Sequence, residues 1–342
     1  TIKKGTLQIA NDMKEEGKEF SNKIITSGSA GGSINTIGHE VTLTGQITGV
    51  GRLVKTGGGT LTLDNTNLTN DYNLGNVELE DGTVLATVGN TVINGGTLAI
   101  NNDQQLGVAP EVAEKLDNDK NLYKWQQGNV LIDGGALKTT KTVQSDRHIY
   151  VGAGGATFDV DGAANTTVLS GAIKLEGATQ GGVVKEGEGT LKIDLNFDNY
   201  LKSDETFGIT ANENVGSVTI KQGVLEVDNT AKDLGGAVPV TLAGGELRIN
   251  QGAGSGATDV SIATLQGTGG AIDTTGTTVT IGKVTGAGSL QKKGSGTLVL
   301  TGLTNDYKGD TTISEGKIQI KSEQGLGDAN TGSLILDGGS LQ

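Results

Sequence analysis

Residues 294–327 read GSGTLVLTGLTNDYKGDTTISEGKIQIKSEQGLG, and this stretch decides the fold. Leu298 and Leu300 alternate with polar or smaller residues, which is the two-residue period of a half-buried β-strand. Gly309 and Gly316 interrupt the apolar pattern, after which a second alternation of the same period follows. The stretch therefore predicts short strands separated by glycine turns.

The same pattern occurs upstream. GGGTLTL occupies residues 57–63 and GEGTLKI occupies 187–193, while TNDY stands at both 69–72 and 304–307. A short strand cannot bury its apolar face alone, but stacked copies can, because the inward residues of each rung (one circuit of the chain) pack on those of the next. The repetition predicts an all-β fold: a parallel β-helix, or single-stranded solenoid, with short loop or helix insertions. The crossover rule for parallel strands makes it right-handed.

The recurring residues are interpreted as structural: Gly57, Gly59, Leu61, Tyr72, Gly187, Gly189, Leu191, Tyr200, Gly294, Gly296, Leu298, Tyr307, Gly309 and Gly316. The alternation also predicts which side chains point into the solenoid: Leu61, Leu63, Ile132, Leu137, Leu191, Ile193, Leu242, Leu247, Leu298 and Leu300. Adjacent glycines, as at Gly134-Gly135 and Gly244-Gly245, predict corners at which both glycines supply a positive φ.

We expect residues 1–342 to form one continuous β-helix fragment. Repeat markers divide it at approximately residues 2–78, 79–219 and 220–312, and a fourth unit starts at 313–342. The chain begins and ends inside a repeat, which indicates a fragment.

Composition restricts the function. The chain has a net charge of −13, no cysteine and no basic stripe, which argues against a disulfide scaffold, a thiolate metal site and a nucleic-acid surface. No apolar run approaches the roughly 18 residues of a membrane span, so no direct membrane insertion is expected. The start of the chain also lacks the apolar region of a signal peptide.

The order of these motifs resembles a known family. GxGTLxL, followed by NxYxGxTxIxxG and then by Leu-Gly, is similar to the passenger-associated transport repeat of bacterial autotransporters. Residues 294–327 match it closely, whereas 57–107 and 187–235 match it more loosely.

The resemblance implies a β-helical passenger of a Gram-negative bacterium. Such a passenger is exported through an outer-membrane β-barrel translocator, which is not in this fragment, and is displayed at the cell surface. It commonly serves as an adhesin or display stalk, whose partner would be a host-cell surface protein, matrix or glycan, or another bacterial cell.

A search for catalytic and metal sites predicts none, and no cofactor is expected. His148 is interpreted as a surface or groove residue on a strand face, and residues 117–121 lack the glycine and the glutamate of a calcium loop. Asp159 and Asp161 could share one face, so a carbohydrate-active β-helix enzyme, a polysaccharide lyase or hydrolase, is the alternative function. Self-association between cells is a further alternative.

The best candidate for partner binding is the insertion at residues 108–127, which also contains the best helical pattern of the chain. It carries the only tryptophan, Trp125, together with Tyr123, Leu122 and Leu116. Tryptophan and tyrosine are enriched at interface hot spots, and their rings stack on sugars. The alternative is a passive insertion in which Trp125 packs back on the solenoid.

Overall fold

The structure is a computed structural model that describes residues 1–15, 17–65, 69–72, 77–78, 84–85, 90–109, 128–175, 181–194, 216–228, 238–250 and 258–342. Short β-strands make up most of these ranges. Two 3-10 turns, Asp103–Leu106 and Glu323–Leu326, accompany them, and no α-helix occurs in the described ranges. The helical pattern after Pro110 lies outside them.

The chain divides into two compact units. The first consists of Thr1–Asp161, Leu169–Gly181 and Asn196–Phe207, and the second of Gly162–Val168, Gly182–Leu195 and Gly208–Gln342.

The first unit holds two stacks of parallel strands, numbered in chain order. Stack 1 contains β1 (Thr6–Gln8), β2 (Ile24–Asn35), β4 (Ile47–Thr56), β8 (Thr91–Asn94), β10 (Val130–Ile132), β13 (Ile149–Val151) and β16 (Ile173–Leu175). Stack 2 contains β3 (Glu40–Leu43), β5 (Thr60–Leu63), β9 (Thr97–Ile100), β11 (Gly135–Thr139) and β14 (Ala156–Val160). The remaining strands of this unit are β12 (Val143–Ser145) and an antiparallel pair, β6 (Val77–Glu78) and β7 (Val84–Leu85).

The second unit repeats this arrangement. Stack 3 contains β17 (Val183–Glu186), β19 (Val218–Ile220), β21 (Pro239–Leu242), β23 (Thr258–Leu265), β25 (Thr278–Gly286), β27 (Thr297–Leu300), β29 (Lys317–Ile320) and β31 (Ser340–Leu341). Stack 4 contains β15 (Thr166–Leu169), β18 (Thr190–Ile193), β20 (Val224–Val227), β22 (Glu246–Ile249), β24 (Gly269–Thr274), β26 (Ser289–Lys293), β28 (Thr311–Ile313) and β30 (Leu334–Leu336).

The pairing confirms the predicted parallel solenoid. Strands that follow each other in sequence mostly lie in different stacks, and each pairs in parallel with its equivalent one circuit away. Leu298 of β27, for example, lies opposite Val279 of β25 on one side and Ile318 of β29 on the other. All ten side chains predicted to point inward are buried. Alternation therefore identified the interior face correctly in both units.

The corners at Gly134-Gly135 and Gly244-Gly245 differ from the prediction, whereas at Gly95-Gly96 both glycines have a positive φ, 124° and 63°, as predicted. Gly134 has a φ of 80° and Gly244 a φ of 116°, but Gly135 and Gly245 do not take a positive φ. A Cβ on Gly135 would instead lie 2.5 Å from Cγ2 of Ile93 on the neighbouring rung. The first glycine of the pair thus makes the turn, and the second is required because the rungs approach too closely for a side chain.

Candidate partner-binding site

The four residues predicted to bind a partner, Leu116, Leu122, Tyr123 and Trp125, lie outside the described residues. The structure does describe the base of the insertion. Val108 is the first residue of the insertion and Gly128 follows its last, and we call these two residues the feet of the insertion.

The chain enters the insertion from a repeat turn that Asn70 and Tyr72 hold in place. The Asn70 Oδ1 accepts the backbone N–H of Ile47 at 2.8 Å, and its Nδ2 donates to the carbonyl of Gln105 at 2.8 Å. Tyr72 is fully buried beneath Gly107, where a Cβ would lie 2.7 Å from the Tyr72 carbonyl oxygen. Asn-Asp-Tyr and Leu-Gly thus pack together as one structure, although Asn70 and Gln105 are 35 positions apart in the chain.

Residues 305–327 repeat the structure without the insertion. Asn305 accepts the N–H of Val284 at 2.9 Å and donates to the carbonyl of Gly325 at 2.6 Å, while Tyr307 is buried beneath Gly327. Gly107 and Gly327 both have a φ of 86°. After Gly327 the chain needs only residues 328–333 to reach β30, whereas residues 108–129 separate Gly107 from β10.

Arg147 closes the base of the insertion. Its side chain is fully buried, and Nη1 donates to the carbonyls of both feet, Val108 at 2.8 Å and Gly128 at 2.6 Å. Nη2 donates to the carbonyls of Gly107 at 2.9 Å and Asp103 at 3.2 Å, and Nε donates to Oδ1 of Asp103 at 2.9 Å. The five N–H groups of the guanidinium therefore have acceptors. Sequence reasoning missed Arg147; the signal was an arginine at a position that the repeat does not explain.

His148 is also buried, which corrects the prediction of a surface or groove position on a strand face. It immediately precedes β13, and its Nδ1 accepts the N–H of Ala172 at 2.9 Å. Burial, and next to it the charge of Lys174, lower the pKa of His148 to about 4. The imidazole is therefore neutral at pH 7 and acts as a hydrogen-bond acceptor in the wall of the solenoid.

Three lysines form a second set that the sequence reasoning missed. Lys55, Lys185 and Lys292 each stand two residues before a GxGTL motif, and all three are fully buried. Each Nζ donates to the carbonyls of the next two residues and to one carbonyl on the neighbouring rung; for Lys55 these acceptors are Thr56, Gly57 and Gly95, at 3.1, 2.8 and 3.2 Å. The lysines thus cap the glycine turns from inside. The signal was their fixed distance from the glycines.

The regular outer faces pair their charges within the fold. In stack 4, Lys192, Glu226, Arg248, Asp273 and Lys293 occupy one register position on successive strands, so the charges alternate in sign. Arg248 lies 3.3 Å from Glu226 and 3.1 Å from Asp273.

Asp159 and Asp161, the residues of the enzyme alternative, share an ion pair with one lysine. Lys138 lies 3.1 Å from Asp159 and 3.5 Å from Asp161. The prediction that the two carboxylates share one face agrees with this geometry.

A shallow polar groove of about 640 Å³ lies in the second unit. Its walls include Glu246, Gln291, Lys293 and Thr312. The Glu246 carboxylate accepts from Arg248 at 2.8 Å and from Lys293 at 3.0 Å. No group of three or more His, Cys, Asp or Glu residues suited to a metal occurs in the part of the chain that the structure describes. Within that same part, no helix is long and apolar enough to cross a membrane.

Comparison with known proteins gives two matches. The model of the passenger-associated-transport-repeat matches residues 290–320. The adhesin BmaC autotransporter of Brucella suis biovar 1 (strain 1330) is 28% identical over 274 residues, which is 74% of this chain. The chain spans 7% of the length of that relative. No solved structure matches the chain.

Both matches confirm the resemblance to autotransporter passengers that the repeats predicted. The repeat match includes Asn305 and Tyr307, the two side chains that hold the repeat turn together. A passenger of this class reaches the bacterial cell surface through the outer membrane.

Proposed function

We propose that this chain, as part of an autotransporter passenger on the bacterial surface, attaches the cell to a partner through the insertion at residues 108–127. The partner is a host-cell surface protein, a matrix component or glycan, or another bacterial cell. The β-barrel that translocates the passenger is its partner during export. The observation that carries the proposal is the similarity to an autotransporter adhesin over most of the chain.

The geometry of the scaffold supports the choice of the insertion. Regular rungs bury their apolar residues and pair their outer charges with one another, as Arg248 does with Glu226 and Asp273. Repeated faces of this kind offer little to distinguish one partner from another, and specific binding residues are commonly found on loops held by a rigid scaffold. The insertion departs from the repeat at a base that is packed and hydrogen-bonded.

The composition of the insertion supports a contact role. Trp125 is the only tryptophan of the chain, and Tyr123 stands two residues before it. Large aromatic side chains contribute much contact area at low entropic cost and dominate many binding interfaces. We therefore propose Leu116, Leu122, Tyr123 and Trp125 as the contact residues.

We further propose that the chain is not an enzyme. The relative that it matches is named an adhesin. Asp159 and Asp161 share an ion pair with Lys138, which suits a structural role in the outer face. A screen against plant and host glycans checks this point: turnover that is lost in Asp159→Asn or Asp161→Asn would favour the carbohydrate-active alternative.

The experiment that tests adhesion is surface display. Residues 1–342 are placed between a signal peptide and an outer-membrane barrel in a non-adhesive strain. Binding to host cells, matrix and immobilised glycans is scored, together with settling of the culture. We expect a gain in one of these assays, which identifies the partner class; no gain in any of them over the strain that displays the barrel alone would refute the proposal.

A matched control uses an exposed apolar residue outside the insertion. The Leu303 side chain lies in the repeat turn and is 69% exposed. Leu303→Ser should leave attachment unchanged, because the proposal assigns contact to the insertion alone. A loss in this variant as large as that caused by Trp125→Ala would argue for nonspecific apolar adhesion.

A further inference from the structure

We infer that Arg147 is the positioning residue of the insertion: its guanidinium holds both feet, Val108 and Gly128, and thereby fixes the points at which the insertion begins and ends. The inference deepens the proposed function and rests on it for its link to attachment. The structural part, that one side chain fastens both ends of the segment, can be tested without a partner.

The first argument is the position of the hydrogen bonds. A single nitrogen, Nη1, donates to the carbonyls of Val108 and Gly128, which lie at the two ends of the insertion. The other two nitrogens fasten the same guanidinium to Asp103 and Gly107 in the repeat turn. One side chain therefore connects the entry, the exit and the turn from which the insertion departs.

The second argument comes from the turn without an insertion. Thr91 lies opposite Val130 in stack 1, and Thr311 lies opposite Leu334 in stack 4, so the chain returns to the same register after both turns. The short connection, residues 328–333, closes with its own backbone hydrogen bonds, such as the N–H of Thr331 to the carbonyl of Asp328 at 3.0 Å. The long segment has an arginine at its base.

The chemistry of arginine suits this role. A guanidinium presents five N–H donors in a rigid plane, whereas a lysine ammonium has three donors on a flexible stem. Burying the charge is tolerated because every donor has an acceptor and Asp103 supplies a carboxylate 2.9 Å from Nε. Fixing both ends also removes conformational freedom that a partner would otherwise have to remove on binding.

The direct test is amide hydrogen exchange in the full 342-residue chain. The N–H of Val108 bonds to Tyr72, and that of Val130 bonds to the carbonyl of His148, so these amides report on the feet. In Arg147→Met we expect exchange at both to rise by about tenfold or more, while the amides of Thr97 and Ala136 in stack 2 stay protected. Unchanged exchange at the feet, or an equal rise throughout the unit, would overturn the inference.

A second test separates positioning from general stability. In a second chain, which we call the loop-swap chain, residues 108–129 are replaced by the sequence of residues 328–333, which removes both feet. If Arg147 serves the insertion, Arg147→Met should lower the melting temperature less in the loop-swap chain than in the original chain. An equal drop in both would show that Arg147 is merely structural. Arg248→Met is the control, since it removes an arginine whose partners lie in stack 4. It should lower the melting temperature equally in both chains.

The attachment assay then links the base to binding. Arg147→Met should lower attachment, and Arg147→Lys should restore it only in part, because an ammonium cannot bond all five acceptors. Full attachment in Arg147→Met, with exchange at the feet raised, would overturn the positioning role. If the loop-swap chain also attaches fully, the proposed function of the insertion is refuted. The rates of amide hydrogen exchange at the feet still decide whether Arg147 fastens them.

Discussion

At the scale of single residues, the three buried lysines show how a charge can stabilise a turn. Burial lowers the pKa of Lys292 to about 8, with Asp273 and Glu315 acting in the opposite direction. This pKa still lies above neutral pH, so the ammonium keeps three N–H donors for the carbonyls of Lys293, Gly294 and Glu315.

Lys292→Met should therefore lower the free energy of unfolding by about 1–3 kcal/mol, because buried carbonyls lose their donor. The neighbouring lysine provides the control. Lys293 is 40% exposed and pairs with Glu246, so Lys293→Met should cost at most about 1 kcal/mol. Equal losses in the two variants, measured by chemical denaturation, would show that the buried amine does not cap the turn.

His148 makes stability depend on pH in a defined window. Its pKa of about 4 in the folded chain lies below the ordinary histidine value of 6.5, so the unfolded chain takes up the proton first as the pH falls. Stability is then complete above pH 6.5, is lost between pH 6.5 and about 4, and no longer changes through this residue below 4. The loss should reach about 3 kcal/mol.

The comparison that checks this uses His148→Asn, which keeps an acceptor for the N–H of Ala172 but does not titrate. The unfolding free energy of the original chain, minus that of the variant, should decrease from pH 7 to pH 4. A difference that stays constant over this range would mean that His148 is protonated equally in the folded and the unfolded chain.

At the scale of elements, alternation within each strand decides which side chain is buried. Leu298 of β27 is fully buried, whereas Val299 is only partly so. Leu298→Ala should cost about 2–5 kcal/mol, because it removes buried surface and leaves a cavity between rungs. Val299→Ala is the control and should cost much less. A cost of under about 0.5 kcal/mol for Leu298→Ala would mean that the register of this strand is inverted.

Sequence reasoning could predict these strands because their cause is local. The period of two and the recurrence of Gly-x-Gly-Thr-Leu appear directly in the chain, and stacking follows from them. The second glycine of the corners at Gly134-Gly135 and Gly244-Gly245 was misinterpreted because its constraint comes from the neighbouring rung, as with Gly135 and Ile93.

The base of the insertion escaped prediction for a similar reason. Arg147 bonds to Asp103, which is 44 positions away, and no period in the sequence links the two. His148 was misplaced because alternation was extended to it from Ile149 and Val151, although it stands just before their strand.

At the scale of the whole molecule, we propose different functions for the repeats and the insertion. The family match covers residues 290–320, which include Asn305 and Tyr307 of the repeat turn, and the similarity to the adhesin extends over most of the chain. The division at residues 2–78, 79–219, 220–312 and 313–342 stays a prediction. We propose that the rungs serve as the scaffold and that residues 108–127 make the attachment.

The measurement that tests this assignment most directly compares two displayed chains. One is the original chain, and the other is the loop-swap chain, in which the sequence of residues 328–333 replaces residues 108–129. We predict that the loop-swap chain keeps its melting temperature within a few degrees, because the turn closes as it does after Gly327. Its attachment should fall by about tenfold or more, because the proposed contact residues are gone. Undiminished attachment at equal surface display would contradict the account.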